Sequence, residues 1–184
     1  MNMNDSREIA ATPDVVWAAI LNPEVLRQCV PGCEEMQGSP EEGFDATVVQ
    51  KVGPVKAKFS GKVTLSDMIA PQSLRLSGEG KGGAAGFAKG EATVTLSPSG
   101  TGTLLTYDVE AKVGGKLAQL GSRVIDGFAK QLADQFFENF QNAVEGDTAA
   151  PEEAPAAAAP AAEDTAVEEQ PQEEKKGFFK RLFS

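Results

Sequence analysis

The chain has 184 residues and a formal net charge of −10, with two cysteines and no histidine. This length accommodates one domain of ordinary size and a tail, and an acidic domain argues against nucleic-acid binding, because neutralising phosphates requires a basic face. The lack of histidine removes the commonest general base and metal ligand, and two cysteines alone cannot complete a four-ligand structural zinc site.

The N-terminal sequence, MNMNDSREIA, lacks the basic and apolar regions of a signal peptide. Position 2 is Asn2, where myristoylation requires a glycine. No apolar run approaches the roughly 18 residues that a membrane-spanning helix needs. We therefore expect a cytoplasmic protein with reduced thiols.

The first elements of the domain are a strand and two short helices. A weak alternation over residues 3–11 predicts the strand. Thr12 has the position of a helix N-cap with Pro13 at the first helical position, and Asn22 repeats this pattern before another proline. The second helix is expected to end at Pro31.

From Cys33 onward the hydrophobic pattern has a period of two, which indicates β-strands. The alternation is clean between Val55 and Ser66, where every second residue is apolar or glycine and the others are Lys, Ser or Thr. Further strands are predicted around Leu74–Ser77, Glu91–Leu96 and Leu105–Val113, with short turns between them. Such a meander is antiparallel, with one buried face and one solvated face.

The chain is organised around the stretch from Gly114 to Val144, which contains no proline and predicts one helix of about eight turns. Gly121 and Gly127 interrupt its apolar stripe, at a cost of about 1 kcal/mol each relative to alanine. We therefore expect another part of the chain to lie close to the helix backbone at both glycines. The stripe itself follows steps of three and four residues: Leu117, Leu120, Val124, Phe128, Leu132, Phe136, Phe140 and Val144.

This order of elements predicts an α+β fold, in which a curved antiparallel sheet wraps around the final helix. Four segments, NPEVLRQCVPGCEEM, KVGPVKAKFSGKVTLSD, GEGKGGAAGFAKG and VGGKLAQLGSRVIDGFAKQLADQFF, resemble the CoxG family of carbon monoxide dehydrogenase proteins, which belongs to the START-like (SRPBCC) superfamily. The resemblance covers residues 3–145 in the family order. It implies a helix-grip fold around an apolar cavity, and work alongside molybdenum hydroxylases through membrane recruitment.

The glycine-rich stretch 78–90 contains a literal G-x-G-x-x-G at Gly78, Gly80 and Gly83. A dinucleotide fingerprint must open a helix, whereas a strand is predicted to follow here, so we do not expect phosphate binding. Two interpretations stay open: a flexible connection between strands, or a mobile cavity mouth with Phe87 as an apolar plug.

The sequence gives only weak evidence for a metal, redox or acid–base site. Cys29 and Cys33 have no further soft ligands and are interpreted as two partly buried thiols. Asp108 and Glu110 alternate onto the solvated face of the last strand, away from any cavity. We therefore expect no catalytic residue, no metal site and no cofactor.

Nine residues are the candidates for a ligand cavity between the helix and the sheet: Phe59, Val63, Phe87, Tyr107, Leu117, Leu120, Gly121, Val124 and Phe128. Such a cavity suits a long apolar ligand with one polar end. The hydroxyl of the single tyrosine needs a partner, either a backbone group or the polar end of a ligand. Ordinary core packing explains the apolar residues equally well.

The charge divides the chain into three parts. Residues 1–146 form the predicted domain, with a net charge of −5. Residues 147–174, with nine acidic residues and no basic one, are rich in Ala and Pro and predict a disordered linker.

Residues 175–184, KKGFFKRLFS, predict a basic amphipathic membrane anchor with a net charge of +4. As a helix, the segment places its large apolar groups in one sector and directs two of its bases away from it. A docking peptide for a protein groove has the same pattern and is the alternative. The anchor residues are Lys175, Lys176, Phe178, Phe179, Lys180, Arg181, Leu182 and Phe183.

Together these features predict a non-catalytic accessory protein of a carbon monoxide dehydrogenase-type enzyme that binds an amphipathic lipid. A respiratory quinone is the candidate, because its ring is polar, its tail is apolar and the partner enzymes release electrons. The alternative is an assembly or membrane-recruitment factor without a physiological ligand. In either case the expected location is peripheral, on the inner face of the cell membrane.

Overall fold

The computed structural model describes residues 1–147, which form seven strands and three helices. The linker and the anchor predicted from the sequence lie outside the described residues, and the domain boundary at residue 146 stays a prediction. The elements are β1 (Asn2–Ile9), α1 (Pro13–Ile20), α2 (Pro23–Cys29), β2 (Cys33–Ser39), β3 (Gly43–Val52), β4 (Val55–Ile69), β5 (Ser73–Lys81), β6 (Phe87–Ser99), β7 (Gly102–Gly114) and α3 (Ser122–Asp147).

The seven strands form one antiparallel sheet in the order β1-β7-β6-β5-β4-β3-β2. Strands β2 to β7 are a continuous meander, and β1 joins it by pairing with β7. The predicted α+β helix-grip fold, a curved antiparallel sheet with a long C-terminal helix, is confirmed.

The alternation predicted for β4 is also confirmed. Phe59 is buried, whereas its neighbours Lys58 and Ser60 are exposed. We call the face of the sheet that carries Phe59, Leu74 and Leu105 the inner face, and the opposite face the outer face. Buried residues of all three helices cluster with residues of the inner face, so the helices cover that face alone.

The two short helices begin where the sequence predicts. The Asn22 side chain accepts hydrogen bonds from the backbone N–H of Glu24 at 2.9 Å and of Val25 at 3.5 Å. Thr12 holds the N-cap position of α1, but its side chain makes no capping bond. Asn139 of α3 donates to the carbonyl of Cys29 at 3.1 Å, which ties the end of α2 to the long helix.

The long helix differs from the prediction at its start. Residues 118–120 form a 3-10 turn, and α3 begins only at Ser122, because Gly121 has φ = +85°, which a helix cannot continue through. The prediction that another part of the chain packs closely against Gly121 and Gly127 is also wrong. A Cβ atom placed on Gly121 or Gly127 would have no other group within 4 Å.

The apolar side chains form two clusters. The main cluster joins α1, α2 and the C-terminal half of α3 to the sheet and includes Phe137, Phe140 and Val144. The second cluster lies at the other end of α3, where Phe59 and Leu117 are buried. The helix is therefore held to the sheet by apolar contacts near both of its ends.

We expect Gly127→Ala to raise the free energy of unfolding by about 0.5–1 kcal/mol, because alanine is favoured within a helix and meets no neighbour here. Gly121→Ala is the matched control. It should lower that free energy by about 1–3 kcal/mol, since its backbone conformation suits glycine alone. Urea unfolding measures both. A destabilising Gly127→Ala would mean that another group packs against the helix at this point.

Candidate functional site

An apolar cavity of about 210 Å³ lies between the helices and the inner face of the sheet. All 13 of its lining residues are apolar. They come from both short helices, from the C-terminal half of α3 and from six strands: Ile20, Leu26, Val30, Met36, Phe44, Ala46, Val63, Leu76, Val94, Leu105, Phe136, Phe137 and Phe140. Such a space favours an apolar group over any polar one.

The cavity continues into a more open depression of about 350 Å³ on the same face, and Val63 and Leu76 line both. We call the small residues of this depression the floor: Gly78, Ala88, Gly90, Ala92 and Ala111. Gly78, Gly90 and Ala111 lie directly opposite one another on β5, β6 and β7, so no large side chain occupies this part of the inner face.

The backbone of β7 requires a glycine at one point of the floor. A Cβ atom on Gly90 would lie 2.5 Å from the carbonyl oxygen of Glu110 on β7, closer than Cβ atoms come to such an oxygen. Any larger residue here would force the two strands apart, so the position both permits their close approach and adds to the empty space.

A polar cluster adjoins the cavity at the β1 edge of the sheet. The Arg7 guanidinium lies 3.0 Å from an Asp5 carboxylate oxygen and donates a hydrogen bond to Asp134 of α3. It also lies 5.8 Å from the centre of the Phe137 ring, on which the Tyr107 ring stacks at 4.9 Å. Phe137 therefore separates the apolar cavity from the charged groups.

Tyr107 and Arg7 share one electrostatic environment. Burial raises the pKa of the Tyr107 hydroxyl and the Asp5 carboxylate raises it further, against the opposing effect of the Arg7 hydrogen bond and charge. Burial lowers the pKa of Arg7, but Asp5 and Asp134 outweigh that effect and raise it overall. The Arg7 guanidinium is thus a charged neighbour of the Tyr107 hydroxyl, and a partner from the backbone or from a ligand stays a prediction.

Arg7 is incompletely satisfied. Its Nε atom is buried and has no hydrogen-bond partner within the described part of the chain. Leaving such a donor unpaired costs free energy.

The structure does not bring the nine candidate residues together. Val63 lines the cavity, and Tyr107 belongs to the main cluster beside it. Phe59 and Leu117 are buried in the second cluster, with Leu120 and Phe128 packed against them. That end is filled by side chains and is not part of the cavity.

Three of the nine candidates lie at the surface or at a break in the backbone. Gly121 is the residue that separates the 3-10 turn from α3. Val124 is 43% exposed, although the helical stripe places it on the buried face. Phe87 is 40% exposed on the outer face, where its ring lies over Gly114. Phe87 therefore does not plug the cavity.

The glycine-rich connection is shorter than its sequence indicates. Residues 78–81 and 87–90 belong to β5 and β6, and only Gly82–Gly86 connects them. The Leu117 N–H donates to the Ala85 carbonyl at 3.0 Å, and a Cβ atom on Gly86 would lie 2.0 Å from the Gly114 carbonyl oxygen. The connection is thus packed against the residues before α3. As predicted, a strand follows it, which excludes the dinucleotide fingerprint.

The remaining candidate groups match the structural interpretation. Cys29 is buried and Cys33 half-buried, both as free thiols. Burial raises the pKa of Cys29 to about 11, and it raises the pKa of Cys33 as well. Asp108 and Glu110 are exposed on the outer face. Within residues 1–147, no group of His, Cys, Asp or Glu residues is arranged to hold a metal ion.

Most of the cavity wall lies outside the nine candidate residues, although the sequence contains the signals for it. Phe136 and Phe140 belong to the helical stripe, and the alternation places Leu76 and Leu105 on the inner face. The missing information was which end of α3 lies over the empty part of the sheet. The break at Gly121 and the packing of the second cluster decide that question.

Comparison with known proteins identifies the fold and the family. The sequence model of the carbon monoxide dehydrogenase CoxG family matches residues 6–145. A conserved protein from Geobacillus kaustophilus, known from its crystal structure, is 32% identical with a TM-score of 0.75, over 80% of this chain and 97% of that one.

More distant structures share the fold alone. A START superfamily protein from Mycobacterium smegmatis has 15% identity and a TM-score of 0.60, over 79% of this chain and 97% of its own. A protein from Thermus thermophilus has 14% identity and a TM-score of 0.61, over 81% of this chain and 100% of its own. None of the curated proteins compared with the chain matches it.

The buried thiol of Cys29 should make stability depend on alkaline pH. Burial raises its pKa from 9.0 in the reference state to about 11 in the folded chain. The contribution of the neutral thiol to the free energy of unfolding is therefore complete below pH 9 and is lost as the pH rises to 11. We expect the wild type to lose about 2 kcal/mol more than Cys29→Ala over this range. Chemical unfolding at several pH values measures the difference. Parallel losses in both chains would mean that the thiol is not buried as described.

Proposed function

The chain belongs to the carbon monoxide dehydrogenase CoxG family, and from this premise we propose that it is a non-catalytic accessory protein that carries an amphipathic lipid for a carbon monoxide dehydrogenase. The observation that supports the proposal is the apolar cavity that continues into the floor of small residues. An accessory protein that only bridged two partners would have no need of such a space.

The two parts of the space suit different parts of one ligand. The cavity of about 210 Å³ is smaller than the roughly 300–1,000 Å³ typical of sites for drug-sized ligands. With the adjoining depression of about 350 Å³, the inner face reaches that range. A long ligand therefore places one apolar portion in the cavity and the rest along the floor.

The polar end of the ligand is assigned to the β1 edge. Tyr107 precedes Val109 and Ala111 of the depression on the inner side of β7, so its hydroxyl lies where the floor meets the Arg7 cluster. A ligand with a carbonyl group at one end matches this arrangement of donors. A pure hydrocarbon has no group for them.

A respiratory quinone is the ligand we propose. Its ring carries carbonyl groups, and its isoprenoid tail is apolar. Oxidation of carbon monoxide with water to carbon dioxide releases two electrons and two protons, which a quinone takes up together to form a quinol. The protein would hold and present the quinone, and the electrons would come from the enzyme.

A catalytic role of the chain itself has little to support it. The whole sequence contains no histidine. The cavity wall is entirely apolar, and Asp108 and Glu110 lie on the other face of the sheet. General acid–base chemistry on a bound ligand would require a titratable group that faces it.

Membrane contact is proposed from the sequence of the tail. Residues 175–184 combine four bases with three phenylalanines and a leucine, a composition that binds anionic bilayers weakly and reversibly. Within residues 1–147, no helix is long and apolar enough to cross a membrane. We therefore propose a peripheral position on the inner face of the cell membrane, where a quinone is available.

The first test fills the cavity. We expect a quinone to co-purify with the full wild-type chain. Ala46→Leu adds apolar volume inside the cavity, so this variant should keep or slightly gain stability and lose that quinone. Organic extraction followed by mass spectrometry measures the quinone, and thermal melting measures stability.

Val124→Phe is the control for this test, because Val124 is exposed. It should leave the bound quinone unchanged. If Val124→Phe removes the quinone and Ala46→Leu does not, the ligand lies at the N-terminal end of α3 instead. If the wild-type chain contains no lipid, the recruitment factor without a ligand becomes the correct interpretation.

The second test concerns the tail. Deleting residues 175–184 should release the chain from liposomes that contain anionic lipids, while ligand content and melting temperature stay the same. Higher salt should weaken binding of the full chain only in part, because burial of the phenylalanines persists. Equal sedimentation of both chains with liposomes would refute the anchor.

A further inference from the structure

The charges of the domain are separated between the two ends of its sheet. One end consists of the β3–β4 turn, the β5–β6 connection, the residues between β7 and α3, and the first turn of α3. A Cβ atom on Gly53 would lie 3.8 Å from the Val124 side chain. The Leu117 N–H donates to the Ala85 carbonyl at 3.0 Å, so these segments form one surface. We call this surface the basic end and define it as residues 51–56, 81–87 and 112–126.

The basic end has a large excess of positive charge. It contains six bases and one acid, Asp126. Extending the segments to 49–58, 79–89 and 110–130 gives nine bases and three acids, so the excess does not depend on the chosen limits. The six bases are all exposed: Lys51, Lys56, Lys81, Lys112, Lys116 and Arg123.

Counter-charges are scarce at the basic end. Within residues 1–147, one of the six bases forms an ion pair, Lys81 with Glu79 at 3.2 Å. The sheet register places no acid directly opposite any of the four lysines that lie on strands. Lys51 and Lys56 instead lie opposite each other on the β3–β4 hairpin. The positive charge is therefore not cancelled across the strands.

The opposite end of the sheet is acidic. There the Ala10 N–H donates to Glu145 at 3.0 Å and the Ser99 hydroxyl donates to Glu8 at 3.3 Å, which brings the end of β1, the β6–β7 turn and the end of α3 together. The segments at this end contain no lysine or arginine: 8–14, 39–43, 66–72, 97–103 and 141–146. Their exposed or partly exposed acids are Glu8, Asp14, Glu41, Glu42, Asp67 and Glu145. The domain, although acidic in total, is therefore strongly dipolar.

The basic end also exposes apolar groups. Phe87 is 40% exposed and Val124 is 43% exposed, and Pro54 at the tip of the β3–β4 turn is exposed as well. Bases combined with exposed aromatic and aliphatic groups are typical of surfaces that contact anionic bilayers. Met68 and Ile69 are exposed at the acidic end, but the acids around them would be repelled by such a bilayer.

The basic end lies next to the floor of the ligand space. Along β6, Val94 lines the cavity, Ala92 and Ala88 line the depression, and Phe87 follows at the basic end. The depression thus lies between the cavity and the basic end. A lipid that leaves a bilayer at this end has a shorter path to the floor than one that enters from the acidic end.

We propose that the basic end is a second membrane contact, which binds anionic lipid head groups and turns the floor towards the bilayer. The inference rests on the proposed function, in which the chain obtains an amphipathic lipid from the membrane. The anchor at residues 175–184 would attach the chain, and the basic end would determine which side of the domain meets the lipid. Two weak contacts on one chain reinforce each other, so the loss of either should release most of the protein.

The length of the chain allows both contacts on one bilayer. α3 has 26 residues and ends at the acidic end, about 39 Å from its start. The 27 residues 148–174 can extend to about 90 Å, more than twice that distance. The anchor can therefore reach the bilayer on which the basic end lies.

The first test measures binding of the full chain to liposomes of phosphatidylcholine and phosphatidylglycerol without quinone. Lys56→Glu and Lys116→Glu should each weaken binding about tenfold, since one base near an anionic bilayer is worth about fivefold in affinity and an acid is repelled. Arg75→Glu is the matched control, because Arg75 is exposed on β5 near Asp67 and the change in charge is the same. It should change binding less than twofold.

Misfolding is excluded by the melting temperature. Lys56→Glu replaces the like-charge pair with Lys51 by an opposite-charge pair, so its melting temperature should stay the same or rise while binding weakens.

The second test measures orientation. Val124→Trp places a fluorescent reporter at the basic end, and Ile69→Trp places one at the acidic end, where Ile69 is 59% exposed. Brominated phosphatidylglycerol quenches tryptophan that enters the bilayer. Quenching should increase in Val124→Trp relative to the wild type and stay the same in Ile69→Trp, because Trp17 is common to all three chains.

Four results would overturn the proposal. The lysine variants bind liposomes as Arg75→Glu does; both tryptophan reporters are quenched equally; the lysine variants keep liposome binding and lose binding to purified carbon monoxide dehydrogenase, which would assign the basic end to a protein; or they bind liposomes more tightly than the wild type, which would assign it to the acidic residues 147–174. None of these depends on whether a quinone is extracted, so the proposed ligand is judged separately.

Discussion

The packing of α3 against the sheet near its two ends is the constraint on which the rest of the structure depends. Phe137, Phe140 and Val144 are buried at one end, and burial of each such group contributes about 1.5–3 kcal/mol. Phe59 and Leu117 are buried at the other end. Because both ends are held, the helix keeps its position against the sheet, and the folded chain retains the cavity that Phe136, Phe137 and Phe140 line.

The Arg7 cluster lies beside this space, on the other side of the Phe137 ring. Arg7 joins the edge strand to the helix through Asp134, and the Asp5 carboxylate beside it offsets the cost of partly burying its charge. The cost is a buried Nε without a hydrogen-bond partner in the described chain. In the proposed function, this donor beside Tyr107 is available to the polar end of an otherwise apolar ligand.

The sequence predicts the layers of this fold better than the position of its site. Period-two alternation assigns inner and outer residues correctly along β4 and at Asp108 and Glu110, and the Asn22 cap marks the start of α2. Those are local signals. The cavity depends instead on which distant residues meet. A stripe with a helical period does not reveal that Gly121 ends it, and period-two alternation does not reveal where empty space remains.

The residues on the two faces of the sheet can meet different structural requirements, because a strand directs successive side chains to opposite sides. On the inner face, the small residues of the floor bury less apolar surface than larger side chains would, and a glycine within a strand, as at Gly90, costs further stability. A ligand that covered the floor, as the proposed function requires, would recover part of that burial. One residue away, Lys89 is exposed on the outer face, so the charges of that face can change without altering the apolar space.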